Sequence, residues 1–182
     1  IRNNRTYFEN FITRSTYHSN AIEGNTLSYI ETYAILWNDN SFRISATTRE
    51  LYEAINHKYA LFYAVDHIDE SLSKTLICHI AELINKNIDE ISGYRTGAVY
   101  IKGAEHIPPA PSQVPQAMMY LLYNVGKTNY NSVYEKAAYF HIQFERIHPF
   151  SDGNGRTGRI LINFLLLKDN KAPVIIEKDV RA

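Results

Sequence analysis

The stretch HPFSDGNGRTGR, His148 to Arg159, decides how this chain is read. Gly153-Asn-Gly155-Arg-Thr-Gly158 fits G-x-G-x-x-G, the dinucleotide fingerprint. That fingerprint needs a strand before the glycines and a βαβ unit around them. Here the preceding segment reads as a helix. Ser132-Val-Tyr-Glu135 has capping-box form, and Ala137, Phe140, Phe144 and Ile147 recur at helical spacing. Pro149 disfavours helix at His148 and ends it there. From Arg156 to Lys168 the chain resumes as a helix, apolar almost all round through Ile160, Leu161, Ile162, Phe164, Leu165, Leu166 and Leu167. Such a helix belongs at the centre of a bundle. The motif is therefore a helix–loop–helix, which rejects the Rossmann reading. The G-x-x-x-x-G-K-[ST] of a P-loop is absent too.

Phosphate chemistry survives without those folds. A helix N-terminus offers unpaired N–H groups and a positive dipole end. Gly153 and Gly155 let the backbone approach a ligand closely and adopt positive φ. Arg156 and Arg159, at i and i+3, lie near one another on the helix surface and offer two forks for phosphate. Asp152 adds a carboxylate where a phosphate chain brings Mg²⁺, and His148 titrates near neutral pH. These are the parts of phosphoryl or nucleotidyl transfer. The bland alternative is a glycine-rich connector with surface arginines.

Outward from the loop, the chain reads as one mainly helical domain. Its 182 residues are 45% hydrophobic, with 14 Tyr and 8 Phe, enough for a sizeable core. Lys+Arg and Asp+Glu balance at 19 each, which argues against sequence-independent nucleic-acid binding. Cys78 is the only cysteine, so no internal disulfide can form. With no apolar signal region at Ile1-Arg-Asn-Asn-Arg5, that points to a reducing, cytoplasmic setting. No apolar run approaches the roughly 20 residues of a membrane helix. The start at Ile and the end at EKDVRA leave room for a longer protein.

Further helices follow from caps and stripes. Ser28-Tyr-Ile-Glu31 opens one towards Trp37, and Thr47-Thr-Arg-Glu50 opens another. In the latter Leu51, Ala54, Ile55, Tyr59, Phe62, Val65 and Ile68 form the apolar stripe. Leu76, Ile77, Ile80, Leu83 and Ile84 form a third. Ser112 caps a helix through Met118, Leu121, Leu122 and Val125, with Pro115 in its first turn and Gly126 as its stop. Between Gly93 and Pro111 the pattern changes to a short β-hairpin turning near Gly103. Pro108, Pro109 and Pro111 keep its second arm short. It reads equally as a surface loop or as a binding flap.

With these residues in place, the loop resembles the Fic family signature H-x-F-x-[DE]-G-N-G-R-x-x-R. The match covers every fixed position: His148, Phe150, Asp152, Gly153, Asn154, Gly155, Arg156 and Arg159. Gly93-Tyr-Arg95 and FHIQFERIHPF also look like the family, and the resemblance covers about Ser19 to Ile176. It implies a helical Fic-fold bundle with a hairpin flap, and an enzyme that moves AMP from ATP to a protein Ser, Thr or Tyr hydroxyl. His148 would be the general base and Asp152 the Mg²⁺ ligand. Gly153, Asn154 and Gly155 would form the anion hole, and Arg156 and Arg159 would hold the β- and γ-phosphates. Phe150 would anchor the loop in the core. Ala98, Val99, Tyr100 and Ile101 would align the target chain by strand addition.

A second stretch, STYHSNAIEGNTLS from Ser15 to Ser28, resembles the family's inhibitory motif [ST]-x-x-x-E-[GN] at Ser19, Glu23 and Gly24. This divides the chain into an N-terminal segment, 1–27, carrying an inhibitory helix, and a Fic core, 28–182. Glu23 would pair with Arg159, competing with a phosphate for one fork. Ser19 would help position it, and Gly24 suits a helix end. The ordinary reading of Glu23 is an exposed acid, but a helix C-terminus disfavours an acid, so a compensating partner is expected.

Three functions remain open on the sequence: an AMP transferase restrained by Glu23, an enzyme in which Glu23 positions water to remove AMP, and a non-catalytic nucleotide-binding module. The intact His148 argues against the last. The target is a protein of unknown identity, with this chain itself one candidate; self-association is left open. His141, seven residues before His148, reads as packed or solvated before it reads as a zinc ligand. Asn163, polar on an apolar helix, reads as a core hydrogen bond before it reads as a base contact.

Overall fold

Side-chain caps start most of the helices. The computed structural model describes residues 4–37, 44–101 and 105–180. Among them are α1 (Arg5–Ile22), α2 (Tyr29–Trp37), α3 (Thr48–Asp66), α4 (Lys74–Asn85), α5 (Val114–Lys127), α6 (Val133–Ile147) and α7 (Asn154–Lys168). Asn4, Thr47, Ser73 and Ser132 accept first-turn N–H groups of α1, α3, α4 and α6. Thr47 and Glu50 close a full capping box. At Ser132 the box is half made, because Glu135 accepts from Asn131 instead. The helix towards Trp37 starts as expected, with Ser28 donating to Glu31 and accepting from its N–H.

α7 is the central rod. It packs against α6, α3, α4 and α1. Ile160 to Leu166 are all buried, so the all-round apolar pattern is matched by neighbours on every side. α1 is part of the same body: it lies on α3 and α2, with Phe11 and Ile12 in the shared core. No described helix is long and apolar enough to cross a membrane.

Three expectations are corrected. The start of α5 is not capped by Ser112. A 3₁₀ turn at Pro111–Gln113 leads into it, and the helix runs through Gly126 to Lys127, ending at an extended Thr128 that needs no left-handed glycine. The inward face of α3 is displaced from its apolar stripe. Glu53, Asn56 and His57 are buried with Ala54, Ala60, Leu61 and Ala64, while Tyr59 is 55% exposed. The β-hairpin is not supported. Among the described residues there is no strand, and 98–101 and 105–110 form no ladder. Three prolines remove donors from the second arm, and Tyr100 and Ile107 stand in solvent. The turn near Gly103 lies outside the described residues.

Candidate active site

α6 stops because Pro149 cannot continue it. His148 takes up the left-handed conformation, φ 50° and ψ 63°, while its N–H still bonds Phe144 O at 2.9 Å. The chain turns inward and buries Phe150 completely, against Phe144 and Tyr94. Asn154 then folds the loop on itself: its Oδ1 accepts from Phe150 N–H and its Nδ2 donates to Phe150 O, both at 2.9 Å. Gly153 has φ 75°, and a Cβ there would stand 2.7 Å from Asn85 Nδ2. Only glycine fits. Gly155, by contrast, is helical; of the two, only Gly153 needs positive φ.

No side chain caps α7. Its first N–H groups therefore open into a cleft of about 410 Å³. Glu23, Tyr100, Ile101, His141, Glu145, His148, Asp152, Gly153, Asn154, Gly155, Arg156 and Arg159 all border this cleft. Ala98 and Val99 do not; they line a neighbouring groove with Ser151 and Arg95. Gly24 sits beyond the end of α1 at φ 96°.

His148 Nδ1 lies 3.3 Å from the carbonyl oxygen of Glu145. A carbonyl only accepts, which assigns the proton to Nδ1 and leaves the lone pair on Nε2. Burial lowers the pKa of His148, with the Glu145 carbonyl opposing. The ring is therefore neutral near pH 7, as a general base must be.

Asp152 is held by three donors. Gly153 N–H and Arg156 Nη2 reach Oδ1 at 2.6 and 3.2 Å, and Arg49 Nη2 bonds Oδ2. Burial alone would raise its pKa; Arg156, Gly153 and Arg49 outweigh it and hold the carboxyl below its usual value. Arg156 is not on a helix surface. Its side chain is 2% exposed, between Asp152 and Glu53, whose Oε1 is 3.4 Å from Nη1. At i and i+3 the two arginines diverge around α7, one towards α3 and the other towards α1.

Arg159 faces Glu23. Its Nη2 donates to Glu23 Oε1 at 2.6 Å and to Ser19 O at 2.9 Å, while Nε donates to Ser19 Oγ at 2.9 Å. A Cβ on Gly155 would stand 2.2 Å from Glu23 Oε1. The carboxylate thus rests on the α7 backbone at the helix's positive end.

Other side chains act here with no role read for them in the sequence. Arg95 is buried and donates to His148 O at 2.7 Å, Gly97 O at 3.0 Å and Pro109 O at 2.7 Å, tying both feet of the 97–109 loop to α6. Arg49, Glu53 and Asn85 also serve the loop. No sequence signal marked Glu53, since only the structure shows that α3 turns its polar face inward. His141 is half-buried, and desolvation together with the nearby Arg159 pushes it down to about 4. No group of three or more metal-binding side chains occurs among the described residues. Asn163 bonds the backbone of Val174 in both directions, at 3.0 and 2.8 Å.

Fold and loop together define a helical module with uncapped backbone N–H groups facing a cleft at the start of its central helix. Residues 71–166 match the family model described as the Fic/DOC family. The chain belongs to the Fic/DOC family. It is 33% identical over 176 residues to "Protein adenylyltransferase Fic" of Drosophila persimilis, covering 91% of this chain and 33% of that protein. The relative of the same name in Drosophila mojavensis is 32% identical over the same length. The chain thus spans about a third of the length of these curated relatives. A Fic domain containing signaling protein from Bacteroides thetaiotaomicron superposes with TM-score 0.84 at 25% identity, over 96% of this chain and 70% of that one. Fic-1 from C. elegans gives 0.78 at 27% identity, over 97% and 53%.

Proposed function

We propose that this chain is a protein adenylyltransferase, moving AMP from ATP to a Ser, Thr or Tyr hydroxyl and restrained by Glu23. The observation that carries this is the meeting of His148 Nε2, the uncapped start of α7 and Arg159 on one cleft. His148 takes the hydroxyl proton, and the hydroxyl oxygen attacks the α-phosphorus of ATP. A P–O bond forms, the bond to the β-phosphate breaks, and pyrophosphate leaves. The α7 N–H groups around Gly153, Asn154 and Gly155 hold the phosphate oxygens; the Asn154 side chain only shapes the loop. Arg159 binds the far phosphate, and Arg156 fixes Asp152 from below.

Mg²⁺ is held through one or two carboxylates together with substrate phosphates, so a single Asp152 fits it. Bound there it would neutralise phosphate charge. Tyr100, exposed at the cleft edge, and the half-buried Ile101 beside it are proposed to meet the target chain as extended backbone rather than as a hairpin arm.

The same geometry supports restraint. Glu23 and a terminal phosphate need the same face of Arg159 and the same space over Gly155. Residues 1–27 then act as the inhibitory segment and 28–182 as the core. Because α1 is packed into that core, release concerns its last turn rather than the whole helix. A second reading, removal of AMP by water that Glu23 orients, draws on Glu23 bordering the same cleft as His148.

ATP radiolabelled at the α- or the γ-phosphate separates the chemistries. AMP transfer leaves only the α label on protein. Retention of the γ label, or of neither label by a Glu23→Gly protein, contradicts the proposal.

A further inference from the structure

Arg49 stands in the first turn of α3, where the helix dipole disfavours a cation. It has two acidic partners there. Nε donates to Glu53 Oε1 at 3.0 Å, and Nη2 bonds Asp152 Oδ2 across 103 residues of sequence. Asp152 Oδ1 is already taken by Gly153 N–H and Arg156. Oδ2 is thus the oxygen through which Asp152 would meet an incoming ion, and Arg49 covers it.

The two arginines on Asp152 differ in freedom. Arg156 is 2% exposed and locked, whereas the Arg49 side chain is 54% exposed. Displaced from Asp152, Arg49 would keep Glu53. Glu53 is buried and also accepts from Asn25 Nδ2 at 2.8 Å, just beyond the Glu23 turn. Thr26 adds N–H and Oγ contacts to Glu50 on the same turn of α3. One turn of α3 therefore holds both the end of the inhibitory segment and the guanidinium on Asp152.

We propose that Arg49 is a built-in competitor of the divalent cation: it occupies Asp152 Oδ2 in the restrained state and must swing away before a metal binds. This rests on Asp152 as the cation's ligand. Arg49 is a positioning residue, and its effect is on metal affinity.

The test is titration of the full chain with Mn²⁺ alone, followed by NMR line broadening at the Gly153 amide. Arg49→Gln lies at an exposed helix start, and the buried Glu53 keeps Arg156 and Asn25 as partners. It is expected to tighten Mn²⁺ binding by about three- to fivefold, the range of an exposed ion pair. Asp152→Asn is expected to remove the broadening in both backgrounds. Broadening that depends on Asp152 but is equal or weaker in Arg49→Gln overturns the Arg49 inference and leaves the reading of Asp152 standing. Broadening that survives Asp152→Asn overturns both.

Discussion

Arg159 Nη2 lies 2.6 Å from Glu23 Oε1, and the carboxylate sits where a Cβ on Gly155 would be 2.2 Å away. A side chain from the end of α1 thus fills the space over the start of α7, on the guanidinium proposed to bind the far phosphate. Neither contact is incidental to α1, because Ser19 one turn earlier holds the same guanidinium twice. A carboxylate at a helix C-terminus works against the dipole, and here the positive end of α7 and Arg159 offset it.

Replacing the base should leave the scaffold intact. His148→Ala is expected to reduce AMP transfer by about 10²–10⁴, the usual worth of a positioned general base. Nucleotide binding, followed by calorimetry in a Glu23→Gly background, should persist. A rate within about twofold of the parent would remove His148 from the mechanism.

Arg95 predicts an effect on order at the cleft edge. Arg95→Ala leaves the carbonyls of Ile147, His148, Gly97 and Pro109 without their shared donor. Unmade buried bonds cost about 1–3 kcal/mol. Urea unfolding should show that loss, and limited proteolysis should cut faster between 97 and 109. Unchanged cleavage there would mean that Arg95 does not hold the loop.

Stability should fall with acid before the carboxylates titrate. Burial pushes His57 down to about 3 and His141 to about 4, from an ordinary 6.5. The folded state then binds fewer protons than the unfolded chain. Stability is full above pH 6.5 and declines as pH drops towards those values, by at most about 1.4 kcal/mol per pH unit for each histidine. Denaturant titrations between pH 7 and 5 should show the decline. A flat profile would contradict the lowered pKa of both rings.

The loop, the capped helices and the central position of α7 were legible because each rests on local pattern. The Glu23–Arg159 pair was legible through the resemblance to the inhibitory motif; the helix end alone asked only for some compensating partner. What was not legible depends on tertiary partners. Hydropathy placed Tyr59 inward and missed Glu53 and His57, because α3 turns a polar strip towards the site's arginines. Arg49 carries no local mark, and its partner Asp152 lies far along the chain; Gly93-Tyr-Arg95 was marked by resemblance, but nothing local gave Arg95 its partners at 147–148. Arg156 read as a surface residue because its spacing says nothing of the carboxylates on either side. The hairpin failed where alternation was short and prolines removed the donors a ladder needs.

The most direct test of the account is AMP incorporation from α-labelled ATP by Glu23→Gly beside the parent. A charge-assisted contact is worth about 1.5–3 kcal/mol, and the lower end applies because the Glu23 side chain is 34% exposed. The account therefore predicts a rise of roughly tenfold, seen as self-modification or as labelling in a cell lysate. Adding Arg159→Ala to Glu23→Gly should weaken it again. A Glu23→Gly protein no more active than the parent on either substrate would contradict the account.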